Sequence, residues 1–153
     1  MRIESPSFKN GESIPSKFTC DGDNTSPELR IFDVPEKAQS LVLIMDDPDI
    51  PEIAKTTYGI TEWEHWLVFN IPANTSSISE GQNPEGIVAK NTRGNNAYGS
   101  PCPPDREHRY FFKLYALDSM LDIPQNSNKT DIEKAMYGHI IEKAELMGKY
   151  KRN

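Results

Sequence analysis

Prolines and glycines interrupt this chain so often that long helices have little room over most of its length. The 153 residues include 12 prolines and 9 glycines, and most of them separate short apolar runs. Proline lacks a backbone N–H donor and fixes its own φ, and both residue types favour turns. The pattern predicts many short strands joined by turns. A chain of this length suits one compact domain, which we place over residues 1–153.

Three apolar runs are the strongest strand candidates. Residues 41–45 are continuously apolar and end at an Asp-Asp-Pro turn, which is typical of a strand buried on both faces. Residues 65–71, closed by Pro72, are the second candidate, and residues 109–117 are the third. In the third run a period of two puts Tyr110 and Phe112 on one face. Shorter strands are predicted at Phe8, Phe18 and residues 29–32.

The C-terminal part has a different pattern, which predicts a helix. Thr130 and Glu133 match a capping box, with the threonine as N-cap. Apolar residues then recur at helical spacing for about five turns, up to a stop at Gly148. His139 falls on the apolar stripe and is predicted to be a core histidine, whereas Gly138 inside the helix would cost about 1 kcal/mol. We expect a mainly β fold with this helix packed against it.

Charge and hydropathy exclude several classes of function. The formal net charge is −6, which disfavours nucleic acid and general adsorption to anionic membranes, since both need excess Lys and Arg. No apolar run approaches the roughly 20 residues of a membrane span, and no signal core begins the chain, so a cytoplasmic location is expected. Cys20 and Cys102 are predicted to be reduced structural thiols, although the fold could bring them together.

Acidic and imidazole side chains cluster at the ends of the predicted strands. Asp47 and Asp49 follow the first strand, His65 opens the second and His108 opens the third. If the three strands are neighbours, these ends converge on one rim that suits an anionic head group. Imidazole donates hydrogen bonds to phosphate oxygens and can become charged near neutral pH. Tyr110 adds a phenol donor.

Neighbouring loops add further candidates for the same rim. Backbone N–H groups around Gly99 and Ser100 can form an anion-binding nest. Trp63 and Trp66 offer apolar walls. Asp49 fits a turn-forming role as well as a ligand role. Arg109, next to His108, is expected to face away and to form a buried ion pair, and the candidate partners for it are Asp47 and Glu62.

Two catalytic alternatives remain open at the level of the residues. Two histidines and an aspartate are a plausible zinc set, but none of them stand at a short ligand spacing. Cys102 beside His108 is conceivable as a nucleophile. There is no Gly-rich phosphate loop with a lysine, so nucleotide hydrolysis has no support.

Three segments in this order resemble the phosphatidylethanolamine-binding protein family, in its bacterial and archaeal Raf-kinase-inhibitor-like branch. They are Asp-Pro-Asp-Ile-Pro at 47–51, Glu-Trp-Glu-His-Trp at 62–66, and the Tyr-Gly-Ser-Pro-Cys-Pro-Pro loop from residue 98 with its following strand. The similarity extends from residues 18–22 to residues 146–150. Ser100 departs from the branch, which usually has a second glycine there.

The resemblance implies a large central antiparallel sheet, a second small sheet, and a small cavity that takes phosphate, acetate or phosphoethanolamine-like groups. It also implies a cis proline in the first segment and a cis peptide at Thr61-Glu62. The ligand-binding residues predicted from residues and resemblance together are Asp47, Asp49, Pro51, Trp63, His65, Gly99, Ser100, Pro104, His108 and Tyr110.

The function expected on this basis is a non-enzymatic binding protein that modulates a partner and needs no cofactor. The first alternative is a protease or kinase inhibitor that acts through loops at residues 51–61 and 118–129. The second alternative is a weak or metal-assisted hydrolase that uses His108. Homodimerisation is plausible by resemblance to prokaryotic relatives.

Overall fold

The computed structural model describes residues 1–153 and contains two antiparallel sheets, two α-helices and one turn of 3₁₀ helix. The strands and helices, numbered along the chain, are β1 Arg2–Glu4, the 3₁₀ turn Ser16–Phe18, β2 Leu29–Phe32, β3 Ser40–Asp47, α1 Glu52–Tyr58, β4 Trp63–Pro72, β5 Ser77–Ile78, β6 Ile87–Val88, β7 His108–Leu117, α2 Lys129–Met136 and β8 Ile140–Tyr150. The predicted mainly β fold with a large and a small sheet is confirmed.

The central sheet has five strands in the order β6-β4-β3-β7-β8, and all of its pairings are antiparallel. Every residue of β3 is buried, as the continuous apolar run predicts for a central strand covered on both faces. The small sheet, in the order β1-β2-β5, packs on one face through Ile3, Leu29 and Ile31. Helix α2 covers the other face with Ile132 and Met136. Three layers therefore enclose two apolar clusters.

The three strongest strand predictions correspond to β3, β4 and β7, and residues 29–32 form β2 as predicted. Phe8 and Phe18 are buried, but neither lies in a strand. Phe8 belongs to a loop and Phe18 ends the 3₁₀ turn. Burial of an isolated aromatic residue therefore did not indicate a strand.

The prediction of a five-turn C-terminal helix is wrong beyond the first two turns. Helix α2 ends at Met136, and β8 then pairs with β7 along nearly its whole length. Gly138 lies between them with φ +80°, a left-handed conformation that stops a helix. The capping box is also shifted, because the N-cap is Asn128 and its partner at N3 is Asp131. Most of the segment predicted to be helical therefore forms β8, the fifth strand of the central sheet.

Two residues in this region therefore have roles that differ from the predicted ones. Gly148, predicted as the helix stop, lies inside β8, where a Cβ atom would approach Ile14 to 2.5 Å and Phe8 to 2.8 Å. Its lack of a side chain allows this close packing. His139 is exposed rather than buried, and its Nδ1 lies 2.7 Å from Asp118 Oδ1. It follows the helix instead of facing the core.

Two further expectations about the backbone are corrected. The segment at residues 51–61, interpreted as a loop from the sequence, contains helix α1, which begins after Pro51 and ends before the left-handed Gly59. The chain contains no cis peptide bond, so neither the implied cis proline nor a cis Thr61-Glu62 bond is present.

Candidate ligand-binding site

The ends of three neighbouring strands meet at one edge of the central sheet and surround a cavity of about 190 Å³. Asp47 ends β3, whereas Trp63 begins β4 and His108 begins β7. Because the strands are antiparallel, the end of β3 lies beside the starts of both neighbours. The predicted convergence of the strand ends is therefore observed. The lining consists of Asp47, Ile50, Pro51, Ala54, Trp63, His65, Arg93, Cys102, Pro103, Pro104, His108 and Tyr110.

Asp49, one of the ten predicted residues, lies outside this lining and serves another contact. Its carboxylate accepts hydrogen bonds from Arg109 Nε at 2.8 Å and from Arg109 Nη2 at 2.9 Å. These bonds hold the pKa of the Asp49 carboxyl down at about 2. The expected pairing of Arg109 with Asp47 or Glu62 is thus wrong, and half of the arginine side chain is exposed. The Asp49–Arg109 pair ties the loop after β3 to the start of β7.

Gly99 and Ser100 also lie behind the lining rather than in it. The Gly99 carbonyl accepts a hydrogen bond from His65 Nδ1 at 2.7 Å, and the Gly99 N–H donates to the His65 carbonyl at 2.7 Å. Ser100 is buried. Gly99 acts on the cavity indirectly, because it orients the imidazole of His65.

His65 is a buried titratable group of the cavity. Burial lowers the pKa of its imidazole to about 4, so the ring is neutral at neutral pH. Its Nε2 atom has no hydrogen-bond partner, and the hydroxyl of Tyr110 has none either. The two rings lie edge to face with their centroids 5.3 Å apart. Two residues with neighbouring rings in the lining of the cavity therefore each carry a buried polar atom without a partner.

His108, by contrast, has both ring nitrogens occupied. Nδ1 lies 2.7 Å from Asp47 Oδ2, and Nε2 lies 2.7 Å from Asp105 Oδ1. Asp47 also accepts the Asp49 N–H at 2.8 Å. Burial raises the pKa of the Asp47 carboxyl, and the hydrogen bond from His108 opposes that rise. The structure gives His108 no free donor for a ligand, contrary to the role expected from the sequence.

Six residues of the site were not among the predicted ligand-binding residues: Ile50, Ala54, Arg93, Cys102, Pro103 and Asp105. Asp105 contacts His108 from the loop before β7, and Arg93 adds the cationic side chain of the lining. Ile50 and Ala54 supply apolar wall. Neither charged residue belongs to a motif, so no local signal distinguishes it from other surface charges. Trp66, which was expected to wall the cavity, lies in the core, where its Nε1 donates to Asn83 Oδ1 at 2.9 Å.

The two cysteines form a disulfide, so the prediction of reduced thiols is wrong. Cys102 belongs to the cavity wall, and the Cys20 N–H donates to the Pro101 carbonyl at 3.1 Å. The bond joins the loop after the 3₁₀ turn to the proline-rich loop. Both sulfur atoms are consumed by it, and Cys102 is therefore not an available nucleophile.

The zinc alternative finds no ligand set in the structure. No group of three or more His, Cys, Asp or Glu side chains is arranged so that it could hold a metal ion. No helix combines the length and apolar character that crossing a membrane requires.

The fold and the cavity define a β-sheet protein with a small pocket at one sheet edge, lined by both apolar and polar side chains. The chain belongs to the phosphatidylethanolamine-binding protein family, whose model matches residues 4–151. A UPF0098 protein of Chlamydia pneumoniae is 44 % identical over 153 residues, which is the full length of both chains.

Two solved structures extend this similarity to three dimensions. A phosphatidylethanolamine-binding protein homologue from Chlamydia trachomatis superposes with a TM-score of 0.93 and 41 % identity, covering 99 % of this chain and 97 % of its own. E. coli YbcL, a member of the same family, superposes with a TM-score of 0.87 and 28 % identity, covering 99 % and 98 %. The predicted family and branch are confirmed.

Proposed function

We propose that this protein is a non-enzymatic binding protein whose pocket holds a small oxyanion, such as phosphate, acetate or a phosphoethanolamine-like group, and that the bound ligand modulates a partner protein. One observation carries the proposal. His65 Nε2 and the Tyr110 hydroxyl are buried and unpaired, and both residues line a cavity of about 190 Å³. Buried polar atoms without partners are rare, and a ligand that pairs both of them would remove their desolvation penalty.

The remaining lining supports a small and partly charged ligand. Arg93 provides a cation at the exposed side, whereas Pro51, Trp63 and Pro104 form a stiff apolar wall. Prolines on two sides fix the shape of the opening. The ten predicted residues remain our proposed site, with Asp49, Gly99 and Ser100 acting as supports of the lining rather than as contacts.

An NMR titration of the three histidine rings with phosphate and phosphoethanolamine tests the proposal. We expect His65 and His108 to shift together, while exposed His139 stays unchanged as an internal control. His65→Ala should abolish the response, and the matched variant His139→Ala should keep it. If His65 and His108 do not move at millimolar ligand, or if His139 moves instead, the pocket is not the binding site.

A second candidate function, inhibition of a protease or kinase, is favoured by the surface next to the pocket. Helix α1 exposes Ile53 and Tyr58, and its Ala54 lines the cavity. An exposed apolar pair beside a pocket is a plausible contact for a partner protein. The double variant Ile53→Ser and Tyr58→Ser should lose inhibition of a responsive enzyme while phosphate binding persists. Unchanged inhibition would exclude α1 as the contact.

The domain organisation and the cellular location stay proposals. We treat residues 1–153 as one domain because both sheets share one apolar cluster. The cytoplasmic location was expected from the lack of an apolar run long enough for a membrane span and of a signal core, and the disulfide weighs against it, since such bonds are typical of oxidising compartments.

A further inference from the structure

We infer that the pocket selects a phosphate monoester that still carries a P–OH group, and that it discriminates against phosphodiesters. This inference rests on the proposed function, because it assigns a ligand class to the same pocket. It separates a free phosphoethanolamine group, which is a monoester, from the same group in an intact phospholipid, which is a diester.

The argument begins with the tautomer of His65. Its Nδ1 atom lies 2.7 Å from the Gly99 carbonyl oxygen, which can only accept a hydrogen bond. Nδ1 therefore carries the proton. A neutral imidazole has a single N–H, so Nε2 is a bare acceptor. His65 is 5 % exposed, and this Nε2 has no partner in the protein. The ligand must bring a donor to this atom.

The surroundings keep His65 neutral. The titratable and charged groups around its ring are Arg93, His108, Tyr110, Asp46 and Asp47. Neither carboxylate forms a hydrogen bond with the ring, since Asp47 is bonded to His108 and Asp46 Oδ2 to two lysines. A buried imidazolium without a paired carboxylate is costly. The acceptor character of Nε2 therefore persists at neutral pH.

Tyr110 supplies the complementary group. Its side chain is completely buried and its hydroxyl is unpaired, with the ring beside that of His65. A phenol donates one hydrogen bond, so the base of the pocket presents one acceptor next to one donor. A singly protonated phosphate monoester matches both, since its P–OH donates to His65 Nε2 and a neighbouring P–O⁻ accepts from Tyr110.

The other polar groups of the pocket disfavour a ligand with a second negative charge, and they cannot replace the P–OH proton where the ligand lacks it. Both nitrogens of His108 are occupied by Asp47 and Asp105, so His108 cannot compensate as a donor. The Asp47 carboxylate in the lining repels a dianion, and the Arg93 cation offsets only part of that repulsion. A phosphodiester has no P–OH and leaves Nε2 unpaired, which should weaken binding roughly tenfold to a hundredfold.

Ethyl phosphate and dimethyl phosphate provide a matched pair of probes. They are isomers, and at pH 5.5 each carries about one negative charge, because the second pKa of a phosphate monoester is about 6. They differ in whether the phosphate keeps a P–OH. By calorimetry at pH 5.5 we expect ethyl phosphate to bind at least tenfold more tightly. Its affinity should then fall about tenfold per pH unit above pH 6, whereas that of dimethyl phosphate should not.

Variant His65→Gln and a spectroscopic measurement provide independent checks. Glutamine offers an amide N–H₂ as well as a carbonyl, so the preference between the two esters should fall to less than about threefold. In the wild-type protein the ¹⁵N resonance of His65 Nε2 should move toward that of a hydrogen-bonded nitrogen with ethyl phosphate and stay unchanged with dimethyl phosphate. This readout does not depend on the folding of a variant.

The outcomes separate this inference from the proposed function. Equal binding of the two esters at pH 5.5 would overturn the P–OH selectivity, and so would tighter binding of ethyl phosphate at pH 7.5 than at pH 5.5. Either result would leave the proposed oxyanion pocket in place. Failure of both esters, phosphate and phosphoethanolamine to bind at any pH would overturn the proposed function and this inference with it.

Discussion

The two histidines of the pocket have opposite environments although they line the same cavity. His65 is buried beside a carbonyl and a phenol, whereas His108 is held between two carboxylates at 2.7 Å each. His65 therefore keeps Nε2 as a free acceptor, whereas both ring nitrogens of His108 are occupied. Histidine at a predicted site therefore does not by itself indicate a donor to an anion, since its contacts decide which role it has.

His65 should make the stability of the protein depend on pH in a defined window. Its pKa is about 4 in the folded protein and near 6.5 in the unfolded chain. As pH falls from 6.5 to 4, the unfolded chain takes up the proton first, so stability declines, by roughly 3 kcal/mol in total. Urea unfolding at pH 4.5 to 7.5 should show this slope in wild type and in His139→Ala, and His65→Gln should lack it. An equal slope in His65→Gln would refute the assignment.

Asp105 should weaken anion binding in the wild-type protein. Its carboxylate occupies His108 Nε2 and places a negative charge beside the pocket. Asp105→Ala removes this negative charge from beside the pocket, so ethyl phosphate affinity should rise about two- to tenfold. The matched control is Glu107→Ala, which removes an exposed carboxylate from the same loop. Unchanged or weaker binding in Asp105→Ala would show that Asp105 does not compete with the ligand.

At the level of elements, Gly138 separates the helix interpretation from the observed strand. In a helix interior, replacing glycine by alanine stabilises by about 1 kcal/mol. At the observed φ of +80°, the same change is strained and should destabilise by about 1 kcal/mol, although nothing lies within 4 Å of the added Cβ. Chemical denaturation of Gly138→Ala measures whether the free energy of unfolding rises or falls. Ala135→Gly is the control for a genuine helical position. Stabilisation by Gly138→Ala would contradict the turn between α2 and β8.

Helix α2 is joined to the central sheet by a buried ion pair as well as by apolar contacts. Lys129 Nζ lies 2.9 Å from Asp46 Oδ2 and also contacts Glu62. Lys129→Met should cost about 2 kcal/mol because it removes one of the two lysines that pair with buried Asp46. Exposed Lys134→Met, on the same helix, should cost less than about 0.5 kcal/mol. Equal losses in the two variants would show that the ion pair does not anchor the helix.

At the level of the whole molecule, the disulfide links loops that are 82 residues apart in sequence. It constrains the unfolded chain strongly, because a loop of this size loses more closure entropy than a short one. Cys20→Ser with Cys102→Ser should lower the free energy of unfolding by about 4 kcal/mol. Guanidinium unfolding of wild type with added reductant should reproduce most of that loss. If neither reductant nor the double variant changes the midpoint, the bond contributes nothing to stability.

Local patterns were sufficient for the strands of the central sheet and insufficient for the C-terminal part. Continuous or alternating apolar residues predicted β3, β4 and β7, because those residues must be buried whatever the topology. Residues 140–147 fit helical spacing too, but β8, which extends from Ile140 to Tyr150, places Ala144, Leu146, Gly148 and Tyr150 on one face. Pairing with β7 decided between the two patterns, and that partner is distant in sequence.

The sequence by itself determined the family, the mainly β architecture, and which strand ends carry the polar side chains of the pocket. Only the tertiary structure decided the state of those side chains. The proton on His65 Nδ1 is set by Gly99, and both nitrogens of His108 are taken by Asp47 and Asp105. The Cys20–Cys102 bond likewise depends on loops brought together from far apart. Burial patterns are local in sequence, whereas hydrogen-bond partners and sulfur–sulfur proximity are properties of contacts that exist only after folding.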